Sequence, residues 1–394
     1  MKIVFNAVRL QEKLKAVVRI IPASSKTDMY KFVRITADKE ECKVEFETTS
    51  HDEYIRETLV DELVQSPAKI FESGSCLLSA RELVAMVKRA TDVAAEQVEI
   101  EVIKPGYNAI LKFAKAEYRV NGVAPETFVP YRNDSEEANR IEITAVALRS
   151  LLTHVTYACA TSEVKPMLQG VNFVLTEGNL QAVATDGLRL ATRNAEGKTE
   201  GEVQGNVTIP KVPLEDMAAI LPHDDDEIVT LELGNTALVA TWDDEGTKFV
   251  MRALDGVYPD VDRIIPRSAK AQLRVSRTGL LNVCKNLALF DGDVENRQTH
   301  VKFEGGEMNM SIKSPTYGRA FDKVEYNGPE NLEPRLFNIR FLMDMLNGFE
   351  SDEVEIWLND DRMPVTVHPV DGEGLALLSP ILYRAQEEDI KQTA

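Results

Sequence analysis

The sequence predicts an α+β protein of three similar domains, each made of two strand-helix-strands units. Three observations predict it. An apolar stripe at helical spacing returns six times along the 394 residues, each copy follows an apolar residue and a cap position, and each is trailed by segments of alternating apolarity.

The reference copy is Ile141 to Val155, where Leu148, Leu151, Leu152 and Val155 fall at i, i+3, i+4 and i+7 and so share one helix face. The same offsets recur at Leu83, Met86, Val87 and Ala90; at Leu214, Met217, Ala218 and Leu221; at Leu280, Val283, Cys284 and Leu287; and at Leu342, Met345, Leu346 and Phe349. The first copy has Leu10, Leu14 and Val17, with Lys13 breaking one position. Successive anchors lie 62 to 73 residues apart, a constancy that chance does not give six times. Four residues before the anchors stand Asn6, Ser79, Thr144, Pro210, Ser276 and Asn338, so five of six copies offer a side-chain oxygen to the free N–H groups of a helix start.

In chain order, the first unit runs from Met1 to Arg19 and a loop carrying Lys26. Lys43 to Glu47 and Asp52 to Thr58 then alternate as antiparallel strands with one wet face. The second unit spans Ser75 to Ala90, followed by strands at Gln97 to Val102 and Ala109 to Phe113 across a Lys104-Pro105-Gly106 turn. Ile228 to Leu233 and Val354 to Leu358 are the matching strands after the fourth and sixth helices. Polar linkers at Arg132 to Asn139 and Pro266 to Lys270 divide the chain into domains at 1–134, 135–266 and 267–383, with a polar tail at 384–394.

Composition excludes several classes. No apolar run approaches the ~20 residues that span a bilayer, and the start MKIVFNAVRLQEKLK lacks a secretory pattern, so a cytoplasmic protein is expected. Cys42, Cys76, Cys159 and Cys284 form no paired motif and read as reduced small hydrophobes. The net charge of −19 argues against a polyanion partner until its distribution is considered. The six helical segments hold twelve Lys and Arg against seven Asp and Glu, so they carry +5 while the rest of the chain carries −24. Helices sharing one surface would make it mildly positive within an acidic shell.

Catalytic signatures are missing: there is no phosphate loop, no HExxH, no GxSxG elbow and no placed Rossmann glycine pattern. The five histidines are far apart. Asp224 to Glu227 and Asp243 to Gly246 read as solvated turns without calcium-loop spacing. A metal-dependent hydrolase on the repeated scaffold, with Asp224 to Glu227 holding the ion, is the alternative reading; a solenoid-like adaptor is a third.

Three stretches carry a resemblance. Val183 to Ala191 (VATDGLRLA), Asp255 to Pro266 (DGVYPDVDRIIP) and Val120 to Tyr131 (VNGVAPETFVPY) make the chain, to about Tyr383, similar to the bacterial DNA polymerase III β subunit, the sliding clamp family. The resemblance implies the DNA clamp fold, with helices on the inner face and antiparallel sheets outside, in a head-to-tail homodimer closing a ring around duplex DNA. It implies a processivity factor in DNA replication without catalytic activity or cofactor. Its partners would be double-stranded DNA held without sequence readout, the replicative polymerase catalytic subunit, the clamp loader, and other polymerases and repair proteins bound through short linear peptides.

Residue by residue, the peptide pocket maps to Leu168, Thr185, Gly187, Leu188, Arg189, Leu190, Pro259, Arg263 and Ile264, plus Leu377, Leu378, Ser379, Pro380 and Ile381. DNA-facing candidates are Lys15, Arg19, Lys26, Lys88, Arg89, Arg149, Lys165, Arg277, Lys285 and Arg340. Tyr118 and Val120 are expected to meet Leu289 and Phe290 of a second copy. This chain departs from the family in having Leu188 where histidine is usual, and SPILY in place of an MPMR-like ending.

Overall fold

The computed structural model describes residues 1–22, 27–60, 68–130, 139–199, 203–243, 246–291, 298–330 and 332–381. Lys26, most of the Arg132 to Asn139 linker and the 384–394 tail lie outside the described residues. Six α-helices occur among the described residues: α1 (Ala7–Val17), α2 (Ala80–Asp92), α3 (Ala145–Val155), α4 (Lys211–Ile220), α5 (Arg277–Leu287) and α6 (Ile339–Asn347). Each sits on one predicted stripe, and every anchoring leucine is buried.

The caps form at four of the five expected positions. Asn6 accepts from Val8 N and Arg9 N at 3.1 Å each, Ser276 from Gly279 N at 3.1 Å, Asn338 from Arg340 N at 2.9 Å, and Thr144 from Ala147 N at 3.4 Å. Ser79 is the exception, because its hydroxyl donates to the Glu82 carboxylate and so leaves the helix N–H groups uncapped.

The chain forms two compact units. The first contains Met1–Leu148, Leu175–Gly178 and Gly197–Leu254. Its five-stranded sheet runs, neighbour to neighbour, Ala68–Glu72, Lys2–Asn6, Gln97–Ile103, Asn108–Phe113 and Ala116–Val120. A ten-stranded sheet in the same unit is joined where Thr247–Arg252 pairs with Glu53–Val60, in the register Thr247↔Glu57 to Met251↔Glu53. Helices α1 and α2 pack together, and Ile3, Phe5, Leu10, Leu14, Leu83 and Val87 interlock beneath them with almost no exposure.

The break at Lys13 has a physical cause. Its ammonium donates to Glu57 at 2.7 Å and Asp243 at 3.1 Å, so an ion pair occupies the position where the stripe expects an apolar side chain. Burial works against the charge, yet the two carboxylates raise the Lys13 pKa above its ordinary value. Burial also raises the Glu57 pKa, and Lys13 opposes that shift. Lys13→Ala would leave a buried carboxylate without its cation, at a cost of roughly 3 kcal/mol. Urea unfolding should show that loss at pH 8 and a smaller one at pH 5, where Glu57 takes up a proton more readily.

The second unit contains Arg149–Val174, Asn179–Glu196 and Asp255 onward. Its strands follow the order Asn179–Thr185, Arg189–Glu196, Leu375–Leu378, Val365–Pro369, Glu353–Leu358, Ala271–Ser276, Gly318–Asn327, Glu307–Ser314, Gln298–Glu304 and Arg335–Asn338. Helices α5 and α6 cover a core that includes Leu280, Phe303, Met310, Leu346 and Ile356. No helix among the described residues is long and apolar enough to cross a membrane.

Candidate functional site

The stretch Asn179 to Glu196 folds as a hairpin in the second unit, with Thr185 opposite Leu190 at its closed end. Asp186 makes the turn. Its carboxylate accepts from Leu188 N at 2.8 Å, Arg189 N at 2.9 Å and Arg189 Nε at 2.9 Å. Gly187 takes φ +92, a conformation that a side chain resists, which explains a glycine there. Thr185 donates its hydroxyl to Arg189 O at 2.6 Å and accepts from Gly187 N at 3.1 Å, closing the turn from within.

The C-terminal strand Leu375–Leu378 zips onto this hairpin, with Arg189 opposite Leu378 and Leu190 opposite Leu377. Ser379 N then donates to Leu188 O at 2.8 Å. Val183, Leu190, Val261 and Leu377 make a small apolar cluster apart from the main core, flanked by Tyr258, Ile265 and Leu375. Close in sequence to members of this cluster, Leu188 is 57% and Ile264 51% exposed, so large apolar side chains stand open near a buried apolar floor. Tyr258 ties the two segments by accepting from Thr185 N at 3.0 Å, and burial pushes its phenol pKa up, which keeps it neutral. Gly256, at φ +137, lets the loop approach Met167, whose Sδ lies 3.0 Å from where a Cβ would stand.

Hence Thr185, Gly187, Leu188, Arg189, Leu190, Leu377, Leu378 and Ser379 are brought together. Ile264 N bonds back to Val261 O at 3.1 Å beside the same cluster; Pro259 is exposed, and Arg263 pairs with Asp260 at 2.9 Å. Leu168 is buried at the end of the 3-10 turn Pro166–Gln169, next to Met167. Pro380 and Ile381 follow directly along the chain. Ile381 N donates to Leu336 O at 2.8 Å, and both residues line a cavity with Arg335.

Arg189 is held on several sides. Besides Asp186 it donates to Asp344 at 2.7 Å, and its guanidinium lies 4.2 Å from the centre of the Phe341 ring and 5.5 Å from that of Tyr157. Its charge is already matched, so it braces the hairpin against α6.

The family model for the DNA polymerase III beta subunit, central domain, matches residues 142–260, and that for its C-terminal domain matches residues 262–379. The chain belongs to the bacterial DNA polymerase III beta subunit family. It is 26% identical to the beta sliding clamp of Bacillus subtilis over 97% of this chain and 99% of that one. Against the Halalkalibacterium halodurans beta sliding clamp it is 26% identical over 89% and 91% of the two chains. The crystal structure of the Bacillus subtilis sliding clamp superposes with a TM-score of 0.89 at 25% identity, covering 97% of this chain and 99% of that chain. The Streptococcus pneumoniae DNA polymerase III beta chain shares the fold, with a TM-score of 0.87 at 21% identity over 97% and 100%.

Within this beta subunit fold the remaining candidates separate. Lys15, Lys88, Arg89, Lys165 and Lys285 are exposed, and Lys15 and Lys88 flank a groove of about 410 Å³ between α1 and α2. Others are engaged: Arg19 pairs with Asp216 at 2.6 Å, Arg340 with Asp291 at 2.7 Å, and Arg277 donates to Ser351 O at 2.6 Å. Arg149 is half-buried and also has an interaction. The hydrolase alternative finds no support. Asp224 accepts from Asp226 N at 3.2 Å and Glu227 from Asp243 N at 3.0 Å, which are turn contacts, and among the described residues no three His, Cys, Asp or Glu converge as a metal site.

Two open strand edges complete the picture. Ala116–Val120 is the outer strand of the five-stranded sheet, with Tyr118 stacked on Phe113 and 38% exposed, and Val120 half-buried. Gly318–Asn327 pairs with Glu307–Ser314 along one side but meets Ala271–Ser276 only at Tyr326 and Asn327. Beside it, Leu289 is 77% exposed while Phe290 packs against the core. The sequence reading missed Phe321, 64% exposed on this strand. Its signal was there: Arg319, Phe321, Lys323 and Glu325 share the wet phase, so one ring sits among charges.

Proposed function

We propose that this chain is a DNA sliding clamp: a ring-shaped homodimer that encircles duplex DNA and tethers the replicative polymerase for processive synthesis, acting in the cytoplasm and catalysing nothing itself. The observation that carries the reading is the full-length likeness to a beta sliding clamp, in sequence and in fold, together. We divide the chain into clamp domains at 1–134, 135–266 and 267–383.

The physics fits a threaded ring. Topology retains the DNA, so individual contacts must stay weak, and a few exposed lysines such as Lys15, Lys88 and Lys285 attract phosphates without reading bases. The open edge Ala116–Val120 of one copy would pair with Gly318–Glu325 of the next, head to tail, and two such contacts close the ring. The apolar floor at Leu190 and Leu377, bordered by Leu188 and Ile264, would receive short linear peptides of the polymerase, the clamp loader and repair proteins, anchored by apolar side chains.

Sedimentation velocity tests the assembly. A species of twice the 44.0 kDa chain mass is expected at micromolar concentration. A monomer throughout that range would remove the ring.

A further inference from the structure

We propose that the cavity at the end of the C-terminal strand is a carboxylate-binding pocket, filled by an acidic residue of the linear peptides that the neighbouring groove receives. This depends on the groove reading above and adds the chemistry of the partner. The cavity holds about 590 Å³, and Lys302, Arg335 and Arg362 line it with an apolar wall of Leu336, Pro380 and Ile381.

Arg335 carries the argument. It is only 5% exposed, yet its guanidinium meets carbonyls alone: Glu333 O at 3.0 Å, Pro334 O at 3.1 Å and Asn359 O at 2.8 Å. Its Nε is buried and has no acceptor. A buried cation without an anion in contact is costly, and a guanidinium fork matches a carboxylate in shape and charge. Glu333 and Asp361 also reach the cavity and, with Asp360, favour the charge of Arg335 from a distance, but among the described residues none of the three carboxylates forms an ion pair with it.

A peptide suits the cavity better than a free anion does. Its apolar wall would cover a hydrocarbon stem while the cations take the head group. Continuity points the same way: Ser379 N bonds to Leu188 O at the groove and Ile381 N bonds to Leu336 O at the cavity, about 7 Å further along the chain. A segment lying on the groove therefore reaches the cations within two or three residues.

Calorimetric titration of the full chain with two synthetic peptides tests this, the pair sharing apolar anchors and differing only in Asp and Glu against Asn and Gln at the flank. The acidic peptide should bind roughly tenfold tighter or more. That advantage should shrink below threefold in Lys302→Ala/Arg362→Ala, whose wild-type side chains are exposed. Equal affinity of the two peptides for the wild-type chain overturns the proposal. Failure of both peptides to bind sinks the groove reading and this one with it. If the acidic advantage emerges only after Glu387→Gln, Glu388→Gln and Asp389→Asn, the chain's own carboxylates are the occupant and the partner proposal is wrong.

Discussion

Replacing Phe321 with Asp should split the proposed dimer into monomers while leaving each chain folded. Phe321 and Leu289 are among the most exposed large apolar side chains of the second unit, and Phe321 lies on a strand whose one edge has no ladder partner from Gly318 to Glu325 among the described residues. If that edge pairs with Ala116–Val120 of a second copy, the ring is buried at the centre of the contact, where a single aromatic typically contributes 2 kcal/mol or more. A carboxylate there adds a desolvated charge without a partner, so the combined loss is about 4 kcal/mol or more, roughly a thousandfold in Kd. Leu289→Asp should act alike. Sedimentation velocity reads the loss, and far-ultraviolet circular dichroism should be unchanged. A Phe321→Asp chain that still sediments as a dimer at micromolar concentration would show that the contact uses another surface.

The second large effect is a stability that falls as pH rises. Glu53 is 6% exposed; Ser50 donates to one oxygen at 3.1 Å, and the other oxygen has no partner. Burial first, then the negative charge of Asp216, pushes its pKa up to about 8. In the unfolded chain the group titrates near the ordinary glutamate value of about 4.3. A carboxyl with a raised folded pKa contributes its stability while protonated, below the unfolded value, and loses it as pH climbs through the folded one. Unfolding free energy should therefore decline between about pH 5 and pH 8, by on the order of 4 kcal/mol in full. Glu57 and Asp216 are raised as well, so the wild-type slope is shared. Glu53→Gln isolates this group: it should unfold like wild type at pH 5 and be several kcal/mol more stable at pH 9. Parallel stability curves for the two chains would show that Glu53 is ionised in the folded state.

The helices and most strands were legible because each unit is a two-layer module, and a helix on a sheet must repeat its apolar positions with a fixed period. Lys43–Thr49, Gln97–Ile103 and Ile228–Leu233 all occur where alternation places them. The hairpin at Asp186-Gly187 was readable for a local reason, since turn chemistry is written within four residues. What stayed hidden depends on residues far apart in the chain. Lys13 looked like a defect until Asp243, 230 residues on, came beside it. The partners of Arg189 were hidden because Phe341 and Asp344 reach this strand residue from a helix far along the chain. The placement of Ile381 turns on one backbone bond to Leu336, which spacing does not encode. The unpartnered Nε of Arg335 was equally invisible, for an arginine opening an apolar strand reads as surface.

The central claim is that the protein holds DNA by enclosing it. Labelled chain loaded onto a nicked circular duplex, washed in high salt to strip charge contacts, reports on this directly. Retention on the circle, followed by release once a restriction cut provides free ends, is the predicted result. Equal retention before and after the cut, or complete loss in the salt wash, would contradict it.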